Sequence, residues 1–223
     1  MNKRQMSETF FLCALLAIIG GFLDAYTYIA RGGVFAFAQT GNLIFLGMNL
    51  TEGNIGKVIY YLTPICSFII GVMICELIKS KYKEQGGLHW RQIAVAIEII
   101  ILVIVGFIPT GALNMVANVL ITFVCAMQVE SFRKVNGNSI ATTMCTGNLR
   151  SATEMLFYYL KTKDKKVLNK SLNYFGIIAF FVFGVALGTI FTKLIHQKSI
   201  FICSILLVIV FCTMFIEHVK DRT

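Results

Sequence analysis

Six apolar stretches constrain this chain more than any other feature of its sequence, because each is long enough to cross a bilayer as a helix. Crossing a hydrocarbon core of ~30 Å takes about 20 apolar residues in helical form. The stretches cover residues 10–30, 58–78, 93–109, 113–132, 172–192 and 199–216. With 57% hydrophobic and only 14% charged residues among 223, the sequence predicts an integral membrane protein without a soluble domain.

Two further apolar stretches, residues 34–50 and 138–160, are interrupted by polar residues. Both contain Thr-Gly-Asn, at residues 40–42 and 146–148, and the two copies are 106 residues apart. The same shift aligns Asp24 with Glu130, and FIIGV at 68–72 matches FVFGV at 181–185 at a shift of 113. We therefore predict one membrane domain, residues 1–223, made of two repeats at about 9–110 and 111–218.

The basic residues indicate how the repeats are arranged. If the interrupted stretches cross the membrane, the chain has eight spans and parallel repeats; if they re-enter, it has six spans and inverted repeats. Six spans place sixteen of the twenty Lys and Arg residues inside, whereas eight spans divide them ten to nine and bury Arg150 in a helix. The sequence thus favours an all-α bundle of six spanning helices and two re-entrant segments in a bacterial plasma membrane, with both termini cytoplasmic.

The two Thr-Gly-Asn triplets form the predicted substrate site. Backbone at membrane depth must be buried in protein or line a cavity, and Thr and Asn can bond its free groups. Paired Gly-interrupted segments in inverted repeats point to a transporter site near the midplane, although a turn inherited twice by duplication is the structural alternative. The predicted binding residues are Gln39, Thr40, Gly41, Asn42, Gln128, Thr146, Gly147 and Asn148.

Two carboxylates within the spans are the predicted coupling or gating groups. Carboxylates at membrane depth generally face a cavity or a basic partner. Asp24 has Arg31 two turns away, and Glu130 has Arg133 and Lys134 within about one turn. We predict either that these residues fix the re-entrant segments as ion pairs or that the carboxylates titrate during transport.

The remaining polar residues predict no enzyme, metal or cofactor site. Glu98 is expected to snorkel toward Arg91. The seven cysteines lie in apolar stretches without a C-x-x-C pair, and the three histidines lie at helix ends without ligand partners. Hydrolase and phosphate-binding motifs are absent from the sequence. Glycines inside the spans are predicted to let helices approach closely, namely those at positions 20, 21, 71, 184 and 188.

Two segments resemble a known family: GGFLDAYTYIARGGVFAFAQTGNLIFLG at residues 20–47 and AMQVESFRKVNGNSIATTMCTGNLRSATE at 126–154. They contain an acidic helix end, R-G-G-V-F-A, Q-T-G-N, and a Gln-containing helix before A-T-x-x-x-T-G. This order resembles the YoaK-like family of bacterial membrane proteins, a domain of unknown function, over nearly the whole chain. The resemblance implies a six-span protein of transporter type without an established substrate. The motif of the family is matched here by Asp24, Gln39, Thr40, Gly41 and Asn42.

The leading functional hypothesis is a small-solute secondary transporter, coupled to protons or another cation, with its site between the two triplets. A channel built on paired re-entrant segments and a non-transporting scaffold or regulator stay open as alternatives. The expected partners are the lipid bilayer and a small molecule or ion, but not a nucleic acid. A homodimer is also expected, because six helices are few for a complete transport path.

Overall fold

The computed structural model of the protein describes residues 9–83, 89–133 and 142–220. These residues form eight α-helices, with a 3-10 turn at His196–Ser199 before the last one. The helices are α1 Phe10–Ala30, α2 Gln39–Thr51, α3 Ile55–Tyr82, α4 Trp90–Phe107, α5 Asn114–Ser131, α6 Cys145–Thr162, α7 Lys165–Ile195 and α8 Ile200–Lys220.

Six of these helices belong to segments that are long and apolar enough to cross a membrane. The segments are Phe10–Ala30, Ile55–Tyr82, Trp90–Phe107, Asn114–Ser131 and Lys165–Met214, of which the last includes both α7 and α8. With 13 residues, α2 is only ~20 Å long and too short to cross. The prediction of an all-α membrane bundle with six long helices and two other segments is confirmed, although the first of those segments becomes helical only at Gln39.

Hydrogen bonds between α1 and α5 show that the two repeats run in opposite directions. Asn118, near the start of α5, donates to the carbonyl of Arg31, just after α1, at 2.8 Å. Gln128, near the end of α5, donates to the carbonyl of Leu16 in the first half of α1 at 3.0 Å. These counterparts in the two repeats are therefore antiparallel, as inverted repeats require.

Each repeat places its first helix against the third helix of the other repeat. Along α1 and α7, Gly184 lies against Ile18 and Gly188 against Phe22, so these two helices are parallel. A Cβ atom at Gly184 would stand 2.1 Å from the carbonyl oxygen of Ile18. The predicted role of these glycines in close helix packing is confirmed, because any side chain here would push the helices apart.

The equivalent pair, α3 and α5, is also parallel. Ser67 Oγ donates to the carbonyl of Val119 at 2.7 Å, and two turns further on Cys75 Sγ lies 3.7 Å from the carbonyl oxygen of Met127. Since α5 is antiparallel to α1, α3 must be antiparallel to α1 as well.

These directions decide the path of the two other helices. Because α1 and α3 are antiparallel, residues 31–54 begin and end at one face of the bundle, where Tyr60 Oη donates to the carbonyl of Arg31 at 2.8 Å. Because α7 is parallel to α1 and α5 is antiparallel to it, α5 and α7 are also antiparallel. The end of α5 and the start of α7 therefore lie together at the opposite face. Thus α2 and α6 re-enter from opposite faces. An eight-span chain would instead have parallel α1 and α3.

Candidate functional site between two helix breaks

The first break, residues 31–38, is called the outer break because the predicted topology places it outside; it turns back into the bundle and meets a carboxylate of α1. Phe37 N donates to Asp24 Oδ1 at 2.7 Å, and Ala38 N lies 3.5 Å from the same oxygen. Asp24 precedes the end of α1 by six residues, so α2 begins ~9 Å inside that end. The carboxylate is 5% exposed and faces the N-terminus of α2, where free N–H groups and the helix dipole stabilise its charge.

Asn42 closes the outer break with its side-chain amide. Its Oδ1 accepts from Phe35 N at 3.0 Å, and its Nδ2 donates to Phe35 O at 2.7 Å and to Gln39 Oε1 at 3.0 Å. Gln39 Nε2 donates in turn to Ala36 O at 2.8 Å. Asn42 thus bonds the backbone of the break, as predicted for the triplet, and it is not among the residues that line the cavity described below. The break uses both ends of this amide, because a turn at this depth must satisfy its own backbone groups.

The second break leads into α6 and is called the inner break after the same predicted topology; the structure describes its residues 142–144, and Thr143 reaches the middle of α1. Thr143 Cγ2 stands 2.3 Å from the position that a Cβ on Gly20 would take, so glycine is needed there for the break to approach. The residue before α6 is Met144, whose side chain makes no capping hydrogen bond. Residues 138–141 of the predicted interrupted stretch lie outside the described residues.

Both breaks open onto one cavity of about 690 Å³. Gln39 and Thr40 line it from the first turn of α2, Thr146 and Gly147 line it from the first turn of α6, and Asp24 lies in its wall. Four predicted binding residues and one predicted coupling residue thus share one space of a size typical for small-molecule sites. In the described part of the chain, no group of three or more His, Cys, Asp or Glu side chains could hold a metal ion.

Three other predicted binding residues, Gly41, Gln128 and Asn148, are not among the residues that line the cavity. A Cβ on Gly41 would stand 2.7 Å from Phe35 Cδ2, so Gly41 makes room for the phenyl ring. Asn148 is buried, at 4% exposure. Gln128, predicted to line the cavity, instead ties α5 to α1 through its bond to Leu16 O.

Aromatic side chains that were not predicted form much of the wall. Phe68 and Phe181 face the cavity from α3 and α7, and they occupy equivalent positions in FIIGV and FVFGV. The repeat at a shift of 113 was the signal that could have identified them. Tyr28 and Phe35 stack with ring centroids 5.0 Å apart at the outer side of the same cavity. No repeated motif marks this second pair.

Arg31 does not pair with Asp24, and this prediction is corrected. Its guanidinium is fully buried and lies beside Tyr26, whose Oη accepts from Nη2 at 2.7 Å. Carbonyls at a helix C-terminus lack partners within the helix and carry partial negative charge. Arg31 donates to three carbonyls at and just beyond the end of α4, those of Val105, Ile108 and Pro109, at 3.2, 2.9 and 3.0 Å.

Glu130, the repeat counterpart of Asp24, is held by basic side chains at the inner face. It pairs with Arg133, as predicted, and Lys79 Nζ lies 3.5 Å from its Oε1. These contacts join the inner ends of α3 and α5. Lys134, the other predicted partner, lies outside the described residues.

Sequence comparison relates the chain to one family and to one named transmembrane protein. The family described as Protein of unknown function (DUF1275) matches residues 12–213. The UPF0700 transmembrane protein YoaK of Bacillus subtilis (strain 168) is 28% identical over 162 residues, which is 70% of each chain. No solved structure matches the chain.

Proposed function

Because the chain belongs to the family described as Protein of unknown function (DUF1275), its activity must be inferred from its own geometry, and we propose a small-solute secondary transporter. The protein is a multi-pass membrane protein, and its named relative is a transmembrane protein. The proposal places it in the bacterial plasma membrane with cytoplasmic termini, because sixteen of its twenty basic residues then face the cytoplasm. A homodimer stays a prediction.

The observation that carries the proposal is the meeting of two re-entrant breaks at one cavity. The breaks come from opposite faces of the bundle, and both contribute residues to the same 690 Å³ space. Transporters with inverted repeats bind their solutes between discontinuous helices at such a point, and alternating access follows when one repeat rocks against the other. A turn merely inherited twice would not require both copies to face a common cavity.

The cavity wall indicates the chemistry of the solute. Asp24 is the one charged side chain among the described residues that line it, and threonine hydroxyls are its main other polar groups, with the amide of Gln39. Much of the remaining wall is aliphatic or aromatic. The proposed solute is therefore a small molecule with an apolar body that is neutral or positively charged, since a carboxylate repels an anion.

Filling the cavity tests this proposal without disturbing the helices. A Cβ at Gly147 meets no atom within 4 Å, so Gly147→Leu extends into the cavity from α6. Gly47→Leu is the matched control, because Gly47 is also helical and open but lies outside the cavity. Purified protein is heated with a panel of metabolites, and each solute that raises Tm is then measured for flux into proteoliposomes.

We expect solutes that stabilise the wild type and Gly47→Leu but not Gly147→Leu, with at least a tenfold loss of flux in the latter. Acceleration of uptake by unlabelled solute inside the vesicles would identify a transporter. Flux without this acceleration would identify a channel. Equal stabilisation of both variants would remove the cavity as the site, and binding without flux would favour a scaffold or regulator.

A further inference from the structure

Glu98 is a fully buried acid near the middle of α4. Its exposure is 0%, and neither carboxylate oxygen has a hydrogen-bond partner among the described residues. The prediction that it snorkels toward Arg91 is wrong. Arg91 Nε instead donates to the carbonyl of Ser131 at 2.8 Å, and its guanidinium lies over the ring of Trp90. The acid therefore stays inside the bundle.

The surroundings of Glu98 are apolar. Ala94 lies one turn before it and Leu102 one turn after it, both fully buried on the same face of α4. Leu102 belongs with Val124 of α5 and Leu207 of α8 to one hydrophobic core. An ionised carboxylate within a membrane span costs at least ~2.5 kcal/mol even on the mildest scales, whereas a carboxyl that holds its proton is neutral.

The titratable groups described in the hydrophobic clusters on either side of Glu98 are thiols. Cys75 on α3 belongs to one cluster with Ala94, and Cys125 on α5 and Cys203 on α8 belong to the other with Leu102. The helices packed against α4 also carry charged or basic groups, and those described lie near the ends of the helices. They are Lys57, Glu76, Lys79, Lys81, Glu130, His196 and Lys198. None of them is positioned by a described contact to balance a charge on Glu98.

Two hydroxyls on neighbouring helices also lack partners. Thr122 on α5 and Ser204 on α8 are buried without a hydrogen bond in the described part of the chain. The bond from Arg91 to Ser131 shows that α4 and α5 are antiparallel, and it sets Glu98 roughly level with Val124 of α5. Ser204 occupies the repeat position equivalent to Glu98, at a shift of 106. Buried polar groups normally have hydrogen-bond partners, so the unpartnered polar groups of this core indicate a role besides packing.

We propose that Glu98 is a proton-binding site whose carboxyl holds H⁺ in this conformation and exchanges it with water when the helices rearrange. The proton adds to one carboxylate oxygen and later returns to water, so nothing is oxidised or reduced. Coupling of this proton to solute movement rests on the proposed transport function, whereas proton binding itself does not.

Infrared spectroscopy of the purified full-length protein in lipid nanodiscs tests the site without any solute. A carboxyl that holds its proton has a C=O band distinct from that of a carboxylate, and the band shifts when deuterium replaces the proton. We expect this band at neutral pH in the wild type, complete loss of its Glu98 component in Glu98→Gln, and a shift within minutes in D2O. Glu130→Gln is the control and should leave the band unchanged, because Glu130 is paired with Arg133.

Three results would overturn the proposal. These are an identical band in Glu98→Gln, the absence of the band from the wild type, or a band that does not shift during hours in D2O, which would mean a trapped structural acid. If Glu98→Gln fails to fold, a hydrophobic carbodiimide on the wild type replaces it, since this reagent modifies protonated buried carboxyls. Modification of Glu98 that falls as pH rises supports the site, and no modification contradicts it. All of these results are independent of solute flux.

Discussion

The outer and inner breaks each lead into a helix that begins with the same Thr-Gly-Asn triplet, but different neighbours contact the two breaks. At the outer break, the backbone of Phe37 donates to Asp24, and Asn42 fastens the turn through Phe35 and Gln39. At the inner break, Thr143 lies against α1 at Gly20, and the side chain of Met144, the N-cap of α6, makes no capping hydrogen bond. The contacts described here are thus charge-assisted and amide hydrogen bonds at the outer break and close packing of Thr143 at the inner one.

The two carboxylates differ in the same way. Asp24 faces the N-terminus of α2, whereas its counterpart Glu130 is bound to Lys79 and Arg133. Inverted repeats place equivalent residues at opposite faces of the bundle. The two faces therefore differ because Asp24 and Glu130 have different partners. In the proposed transport cycle, the opposite state would exchange these roles.

The largest expected effect concerns the faces from which the two breaks enter. In a variant without the seven native cysteines, Glu52→Cys follows α2 and Lys161→Cys lies at the end of α6. An impermeant thiol reagent on intact cells should label position 52 fully and position 161 only after permeabilisation, because the two breaks enter from opposite faces. Labelling of both positions from the same side would contradict the inverted arrangement.

The second effect compares the carboxylates. Asp24→Ala should lower the free energy of unfolding by about 2–4 kcal/mol, because buried N–H groups of the outer break lose their acceptor. Glu130→Ala should lower it by less than about 1 kcal/mol, since the Arg133 side chain is 62% exposed and can be hydrated. Denaturant unfolding in mixed micelles measures both. Asp24→Asn is the control and should lose less than Asp24→Ala because it keeps an acceptor; equal losses at positions 24 and 130 would show that the breaks are held alike.

The smallest effect compares the glycines of the two triplets. Gly41→Ala should destabilise the protein by about 1–2 kcal/mol, because its new methyl group displaces the Phe35 ring, which stacks on Tyr28. Gly147→Ala should stabilise it by about 0.5–1 kcal/mol, because the helix gains alanine at an open position. Thermal unfolding of the two variants should therefore shift Tm in opposite directions. Shifts of the same sign would mean that the two triplets share one environment.

Part of the candidate site followed from the sequence, since Asp24, Thr40, Thr146 and Gly147 line one cavity, while solute binding by these residues stays a prediction. Assignments of individual partners were less successful. Arg31 lies close to Asp24 along the chain, yet it binds carbonyls at the end of α4, more than seventy residues away. Gln128 reaches Leu16 across the bundle instead of the cavity.

The sequence by itself determined that this is a membrane protein of two repeats, with six long helices and two polar interruptions. These properties depend on the length of apolar stretches, on local turn chemistry and on internal similarity, all of which are local in the chain. Only the tertiary structure decided which polar group meets which partner, that both ends of the Asn42 amide are used within its break, and that Glu98 is enclosed without a hydrogen-bond partner among the described residues. Such pairings depend on the direction and register of helices distant in sequence, because a shift of one turn changes every contact across an interface.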